Sequence, residues 1–259
     1  MKTKSLIRHL ATIYPQKLRD SYDFGGLMVG PYKEETKRIL LCLDYDETIE
    51  DKAISFKPDL IITHHPFFFG NPKKILEESA EKRRSFEFLK REGIPLASYH
   101  TNFDRAKEGM NDALAEALCL SEILPLKGDD MARGGKLPFA MSMDDLSRYV
   151  IEKLGIPYVG LIKEGKEKVS RVALIGGGGW RSFPTAMEEG YDAFLSGDCP
   201  HHGRREIILS HYNYIDMPHE VETIFVDKFA NTLLNINHEL TIFKVRQEHP
   251  WEIVQRVSK

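Results

Sequence analysis

Residues 59–70 read Asp-Leu-Ile-Ile-Thr-His-His-Pro-Phe-Phe-Phe-Gly, and this stretch constrains the fold most. A short apolar run bounded by turn residues is a buried strand. Polar groups at the carboxyl end of such a strand stand where α/β sheets carry their chemistry. The adjacent His64 and His65 therefore read as half of a metal site, which other segments must complete.

Further buried strands are expected over 38–43, ending at Asp44, and over 94–99, ending in His100-Thr101-Asn102-Phe103-Asp104. Others are expected over 169–175, 193–195 and 212–215, the last leading into His219-Glu220-Val221-Glu222. Between them lie segments with helical patterning or helix signals, over 46–56, 71–92, 111–120, 142–154, 183–190, 204–210 and 220–234. Asn71-Pro72 reads as a cap followed by proline at the first helical position, Asn111 and Ser142 as caps, and Gly93 and Gly155 as stops. Residues 240–245 alternate as an edge strand, and the polar, glycine-rich 127–136 marks a lobe boundary. Strands alternating with helices predict an α/β fold with a largely parallel sheet.

The 259 residues suffice for one large domain or two small lobes, and the net charge is −3. That balance argues against a nucleic-acid binder, whose footprint is a basic excess. It leaves small molecules, protein subunits and metal ions as partners. Three cysteines far apart support neither a disulfide framework nor a cysteine zinc site, and fit a reducing compartment. The first residues lack the apolar core of a signal peptide, and no apolar run approaches the ~18 residues that span a bilayer. The expectation is a cytoplasmic protein with no membrane segment.

Three strand ends thus carry candidate ligands: His64 with His65, His100 with Asp104, and His219 with Glu220 or Glu222. Imidazole with carboxylate suits zinc, iron, manganese or nickel, and disfavours calcium. Adjacent side chains on an extended strand point to opposite sides, so the histidine pair suits two ions roughly 3.5–4 Å apart better than one. Asp104 is then a natural bridge. His9, His211, His238 and His249 lack such company and read as surface or structural residues. Gly176 to Gly179 follow a strand like the start of a phosphate loop, but the third fingerprint glycine is replaced by Arg181, so the run reads as a tight turn. Phe67 to Phe69 read as core packing. His201-His202 either line the cleft or sit in a polar loop.

The segments YDFGGLMVG (22–30), LCLDYDETI (41–49), DLIITHHPFFF (59–69), SYHTNFDRAKEGMNDALAEAL (98–118), VALIGGGG (172–179) and LSGDCPHH (195–202), with the His219 region, run through most of the chain. In these the chain resembles the YbgI-like, NIF-three-like dinuclear-metal family, often labelled GTP cyclohydrolase I type 2 homologues. The ordered HHP and HTNxD elements are specific; the glycine run is not. The resemblance implies a two-lobe α/β monomer with mixed, largely parallel sheets, assembled into a homohexameric ring. It implies two divalent ions per chain, held by His64, His65, Asp104, His219 and a following glutamate. The family places that glutamate four residues after the histidine, where this chain has Thr223. Alignment of the next helix favours Glu222 over Glu220, and a spacing of three still shares a helical face. The return of His219 to the first lobe gives expected lobes of 1–127 with 211–259, carrying the metals, and 128–210. The implied activity is metal-dependent hydrolysis of a small nucleotide-like substrate, ring-opening of GTP by the family label, with His100 and His202 as proton carriers. A metal-dependent phosphoesterase and a non-catalytic metal-binding scaffold are the alternatives.

Overall fold

The computed structural model describes residues 1–246 and 249–254. The first half comprises α1 (Thr3–Ile13), β1 (Gly26–Val29), β2 (Arg38–Cys42), α2 (Glu50–Phe56), β3 (Leu60–Thr63), α3 (Pro72–Glu78), α4 (Ala80–Glu92), β4 (Leu96–Ser98), α5 (Thr101–Arg105) and α6 (Met110–Ala117). Then come β5 (Ser121–Pro125), β6 (Arg133–Ser142), α7 (Met143–Leu154), β7 (Gly160–Lys163), β8 (Lys168–Leu174), α8 (Phe183–Glu188), β9 (Ala193–Gly197), α9 (His201–Leu209), β10 (Asn213–Met217), α10 (Ile224–Ile236) and β11 (Thr241–Lys244). They build two mixed sheets, ordered β1-β4-β3-β2-β11 and β5-β6-β8-β9-β10-β7. In the first, β4, β3, β2 and β11 run parallel and β1 closes the edge antiparallel. In the second, β8, β9 and β10 run parallel, while β5, β6 and β7 are antiparallel additions.

The α/β class and the mixed sheets are as expected; the lobe limits are not. The strand 121–125 was expected in the first lobe, and 213–217 with it, yet both pair into the second sheet. The end of the expected first lobe, at 247–248 and 255–259, lies outside the described residues. The glycine-rich stretch read as a boundary loop enters β6 at Arg133. A Cβ at Gly134 would overlap the Tyr191 ring, so this glycine serves close packing on a strand rather than a turn. The two sheets also share one apolar cluster, which joins Ile39, Leu60 and Ile62 of the first to Leu174, Leu195 and Ile215 of the second.

Local signals explain most element ends. Asn71 caps α3 by accepting from Lys73 N with Pro72 at the first position, Ser142 caps α7 by accepting from Asp145 N, and Gly155 ends α7. The single helix expected over 71–92 is broken at Ser79. Its extended backbone closes α3 and its hydroxyl accepts from Lys82 N to begin α4, the competition that serine offers a helix interior. Asn111 is not a cap either. It is buried within α6, and its side chain binds Gly176 N, Asp104 O and Met131 O, stitching α6 to the loops of both sheets.

Candidate metal centre

The carboxyl ends of the parallel strands of both sheets meet at one place. β3 runs into His64 and His65, β4 into His100 and then α5 with Asp104, and β10 into the 3-10 turn His219–Thr223 with Glu222. Glu222 is buried, and its Oε2 lies 2.9 Å from His65 Nε2, 3.1 Å from His219 Nε2 and 3.6 Å from His64 Nε2. Asp104 Oδ1 lies 3.5 Å from His64 Nε2. All five expected ligands are thus brought together. Glu220 is half-exposed and forms no contact with the cluster among the described residues, whereas Glu222 does.

The expectation that His64 and His65 point to opposite sides is overturned. β3 ends at Thr63, and the next two amides both bond to the chain leaving β2, at Cys42 O (3.3 Å) and Leu43 O (3.0 Å). Consecutive amides of a regular strand face opposite neighbours. The backbone therefore turns here, and both rings swing inward with centroids 5.1 Å apart.

A second layer holds each imidazole. His64 Nδ1 lies 2.9 Å from Tyr99 O, and His65 Nδ1 2.8 Å from Asp44 Oδ2. His100 Nδ1 lies 2.7 Å from Asp23 Oδ1, and His219 Nδ1 2.6 Å from Asp198 Oδ2. Carbonyls and ionised carboxylates only accept, so each Nδ1 is the donor and each Nε2 is left to face the cluster. Metal-binding histidines are held in this way. Asp23, Asp44 and Asp198 were not expected as site residues. Two of them were legible from strand pairing: Cys42 pairs with Thr63 and Gly197 with Met217, which sets Asp44 beside His65 and Asp198 close to His219.

Burial pushes the His64 imidazole down to about 3, so it stays neutral. Burial also opposes charge on His65, but the Asp44 and Glu222 carboxylates override it and raise the ring to about 10. His219 rises to about 9, chiefly through its bond to Glu222. Burial raises Asp104 well above the carboxylate range, with the Glu222 charge adding to it. Glu222 is held well below that range despite burial, by the His219 and His65 rings that bond to it. Within the cluster, two buried atoms nevertheless lack any hydrogen bond among the described residues: His64 Nε2 and Asp104 Oδ1, which lie 3.5 Å apart. Leaving such atoms unpaired is costly, and a cation between them satisfies both. Among the described residues, two triads offer ligand atoms within 4.8 Å of one another: His64, His65 and His100, and His65, His219 and Glu222. The donor set fits a metal.

Aromatic rings pack beneath His64, with the Phe225 centroid at 5.2 Å and Phe103 at 6.1 Å. A cavity of about 530 Å³ reaches Asp104, His219, Glu222 and His100. His202 does not line it. It stands exposed in the first turn of α9, which begins earlier than expected, with its ring 5.3 Å from that of Trp180. Phe67 and Phe68 are core residues, whereas Phe69 is exposed and meets Phe24 edge-on. The glycine run lines the cavity wall with Gly176, Gly178 and Gly179.

Converging strand ends and a buried imidazole–carboxylate cluster, suited to a metal, define the class of this two-sheet α/β protein. The chain belongs to the Duf34/NIF3 (NGG1p interacting factor 3) family, whose pattern matches residues 1–250. The GTP cyclohydrolase 1 type 2 homolog of Clostridium perfringens is 28% identical over 225 residues, spanning 85% of this chain and 86% of that protein. Reduced HcgD from Methanocaldococcus jannaschii superposes with a TM-score of 0.80 at 28% identity, over 94% of this chain and 97% of that one. A hypothetical protein of Staphylococcus aureus superposes at 0.88 with 22% identity, over 98% and 99% of the two chains, and shows the shared fold. No helix among the described residues is long and apolar enough to cross a membrane.

Proposed function

We propose that this protein is a dinuclear metal-dependent hydrolase of a small nucleotide-like substrate. The observation that carries the reading is the pair of orphaned buried acceptors, His64 Nε2 and Asp104 Oδ1, inside a cluster whose imidazoles are all backed at Nδ1. His64, His65, Asp104, His219 and Glu222 hold two divalent ions, of zinc, iron, manganese or nickel. Ions so held act as Lewis acids and lower the pKa of water into the neutral range.

The chain's own residues supply the rest. Asp23 orients His100, whose free Nε2 is placed to take a proton from water or return it to a leaving group. Phe103 and Phe225 keep solvent from the rear of His64. The open cavity gives a substrate access to the cluster, which a purely structural metal site does not need. The names of the relatives, homologues of GTP cyclohydrolase 1 type 2, support a purine nucleotide as first substrate to test. The family likeness extends the proposal to a homohexameric ring acting in the cytoplasm, which light scattering and fractionation check.

The test is metal content by mass spectrometry, then turnover of GTP and a panel of phosphoesters. A His64→Ala, His65→Ala double variant is the background. About two ions per chain and turnover above that background are expected. Less than one ion per chain sinks the dinuclear reading. Two ions without turnover of any substrate favour a scaffold. Turnover of phosphoesters but not GTP assigns a phosphoesterase.

A further inference from the structure

Among the described residues, the cavity over the cluster carries one arginine with no acidic partner. Its wall holds four carboxylates: Asp104 and Glu222 of the cluster, with Asp20 and Asp129. Asp20 is taken by Arg105 at 2.7 Å, and Asp129 accepts from the Ser182 hydroxyl and from Met131 N. Arg105 is saturated in turn by Asp20, by Asp130 at 2.8 Å and by Leu18 O. Arg181 lines the same wall, is exposed, and forms no ion pair among the described residues. Its guanidinium lies 4.8 Å from the ring centroid of Trp180, whose other contacts include the His202 ring at 5.3 Å. Trp180 itself is anchored in the core of the second sheet. The arginine is therefore held in orientation by stacking while its donors meet no acceptor among the described residues.

A neighbouring group points the same way. Gly178 lines this wall, and its amide donates to nothing among the described residues, whereas Gly176 N and Gly179 N of the same run are bonded to Asn111 Oδ1 and Ser196 Oγ. A free amide and an unpaired guanidinium lining one cavity are a donor set matched to a phosphate oxyanion, which arginine engages in bidentate fashion. We propose that Arg181, with the Gly178 amide, binds a phosphate group of the substrate and so holds the rest of that molecule over the histidine–carboxylate cluster. This rests on the reading of that cluster as the reaction centre, and it makes the substrate class a phosphate-bearing small molecule.

The probe is pyrophosphate, titrated calorimetrically into the full chain at fixed ionic strength, both as purified and after chelation, with metal content measured on the same samples. Arg181→Ala is expected to weaken binding at least tenfold in both forms. Arg181→Lys restores part of it, and Arg148→Ala, an exposed arginine on α7, changes nothing. Because Arg181 is exposed, thermal melts of the Arg181 variants should match the wild type. The proposal is overturned if Arg181→Ala binds as the wild type does, if Arg148→Ala weakens binding equally, or if the wild type does not bind pyrophosphate at millimolar concentration. Arg181-dependent binding by a protein that carries less than one ion per chain as purified would sink the dinuclear hydrolase reading and leave the phosphate site standing. Full metal content with binding indifferent to Arg181 does the reverse.

Discussion

Gly177 and Glu222 press against one another so closely that a Cβ on the glycine would overlap Glu222 Oε1 and lie 3.2 Å from His219 Cε1. Gly177 also has φ of +62°, and its carbonyl accepts from Gly197 N at 2.6 Å and Ser196 Oγ at 3.0 Å. The loop is therefore pinned and cannot withdraw. Gly155 has φ of +64° with nothing within 4 Å of an added Cβ, and serves as the control. Gly155→Ala is expected to cost about 1 kcal/mol from backbone strain alone. Gly177→Ala is expected to cost about 2–3 kcal/mol and to lower metal content, since the carboxylate must move. Denaturant melts and metal analysis of the two variants measure the excess, and equal behaviour would show that Glu222 tolerates the methyl group.

The carboxylates behind the histidines give a separate test. Asp44→Asn keeps the shape of the group that bonds His65 Nδ1 at 2.8 Å but removes its charge. Metal affinity should fall about 10–100-fold, as when such supporting groups are removed elsewhere. Competition with a chromophoric chelator reads the change, and an unaltered affinity would mean that Asp44 does not support a ligand.

Asp192 sets a pH dependence away from the site. It is buried, which alone would raise its pKa. Lys166 Nζ at 2.6 Å and the amides of Ser170 and Arg171 hold it below the usual carboxylate range instead. A depressed folded pKa stabilises above the unfolded value of about 3.9, and that stability is lost as pH falls through the folded pKa. Lys166 is exposed and screened, so most of the effect comes from the amides. Asp192→Ala should cost about 1–3 kcal/mol at pH 6. The gap to the wild type should narrow below about pH 4. A gap constant down to pH 3 would assign the loss to packing rather than charge.

Asn111 joins the two sheets through a single buried side chain. Asn111→Ala leaves Gly176 N without its acceptor at 2.8 Å and Met131 O with only the longer bond from Arg133 Nη1 at 3.3 Å. A cost of about 2–3 kcal/mol is expected, with faster hydrogen exchange at Gly176. Exchange at Gly176 that does not change would locate the damage elsewhere.

Much of this was written locally. The buried strands, the caps at Asn71 and Ser142 and the stop at Gly155 follow from short-range chemistry, and each histidine of the cluster sits just past an apolar run. What escaped was set at long range. Residues 133–136 looked like a loop because Gly134 and Gly135 are small, but their size accommodates Tyr191, Leu120 and Ser121. Residues 213–217 follow His211 and precede His219, and only pairing with 193–197 reveals which sheet they join. The direction of His64 and His65 depended on where β3 stops, a boundary that the neighbouring chain at Cys42 and Leu43 decides. His202 looked equivalent to the other histidine pair, but the early start of α9 carries it to Trp180.

The bond between His65 and Glu222 spans 157 positions of the chain. An ion shared by these two side chains would therefore tie a long covalent loop shut, as a crosslink does. Closing a loop of that length in the unfolded chain removes entropy worth about 5 kcal/mol at 25 °C on the chain-entropy view. The cluster that would hold the ions is thus also a removable staple. Chelation should loosen both sheets at once rather than the site alone, because the same apolar cluster runs beneath them.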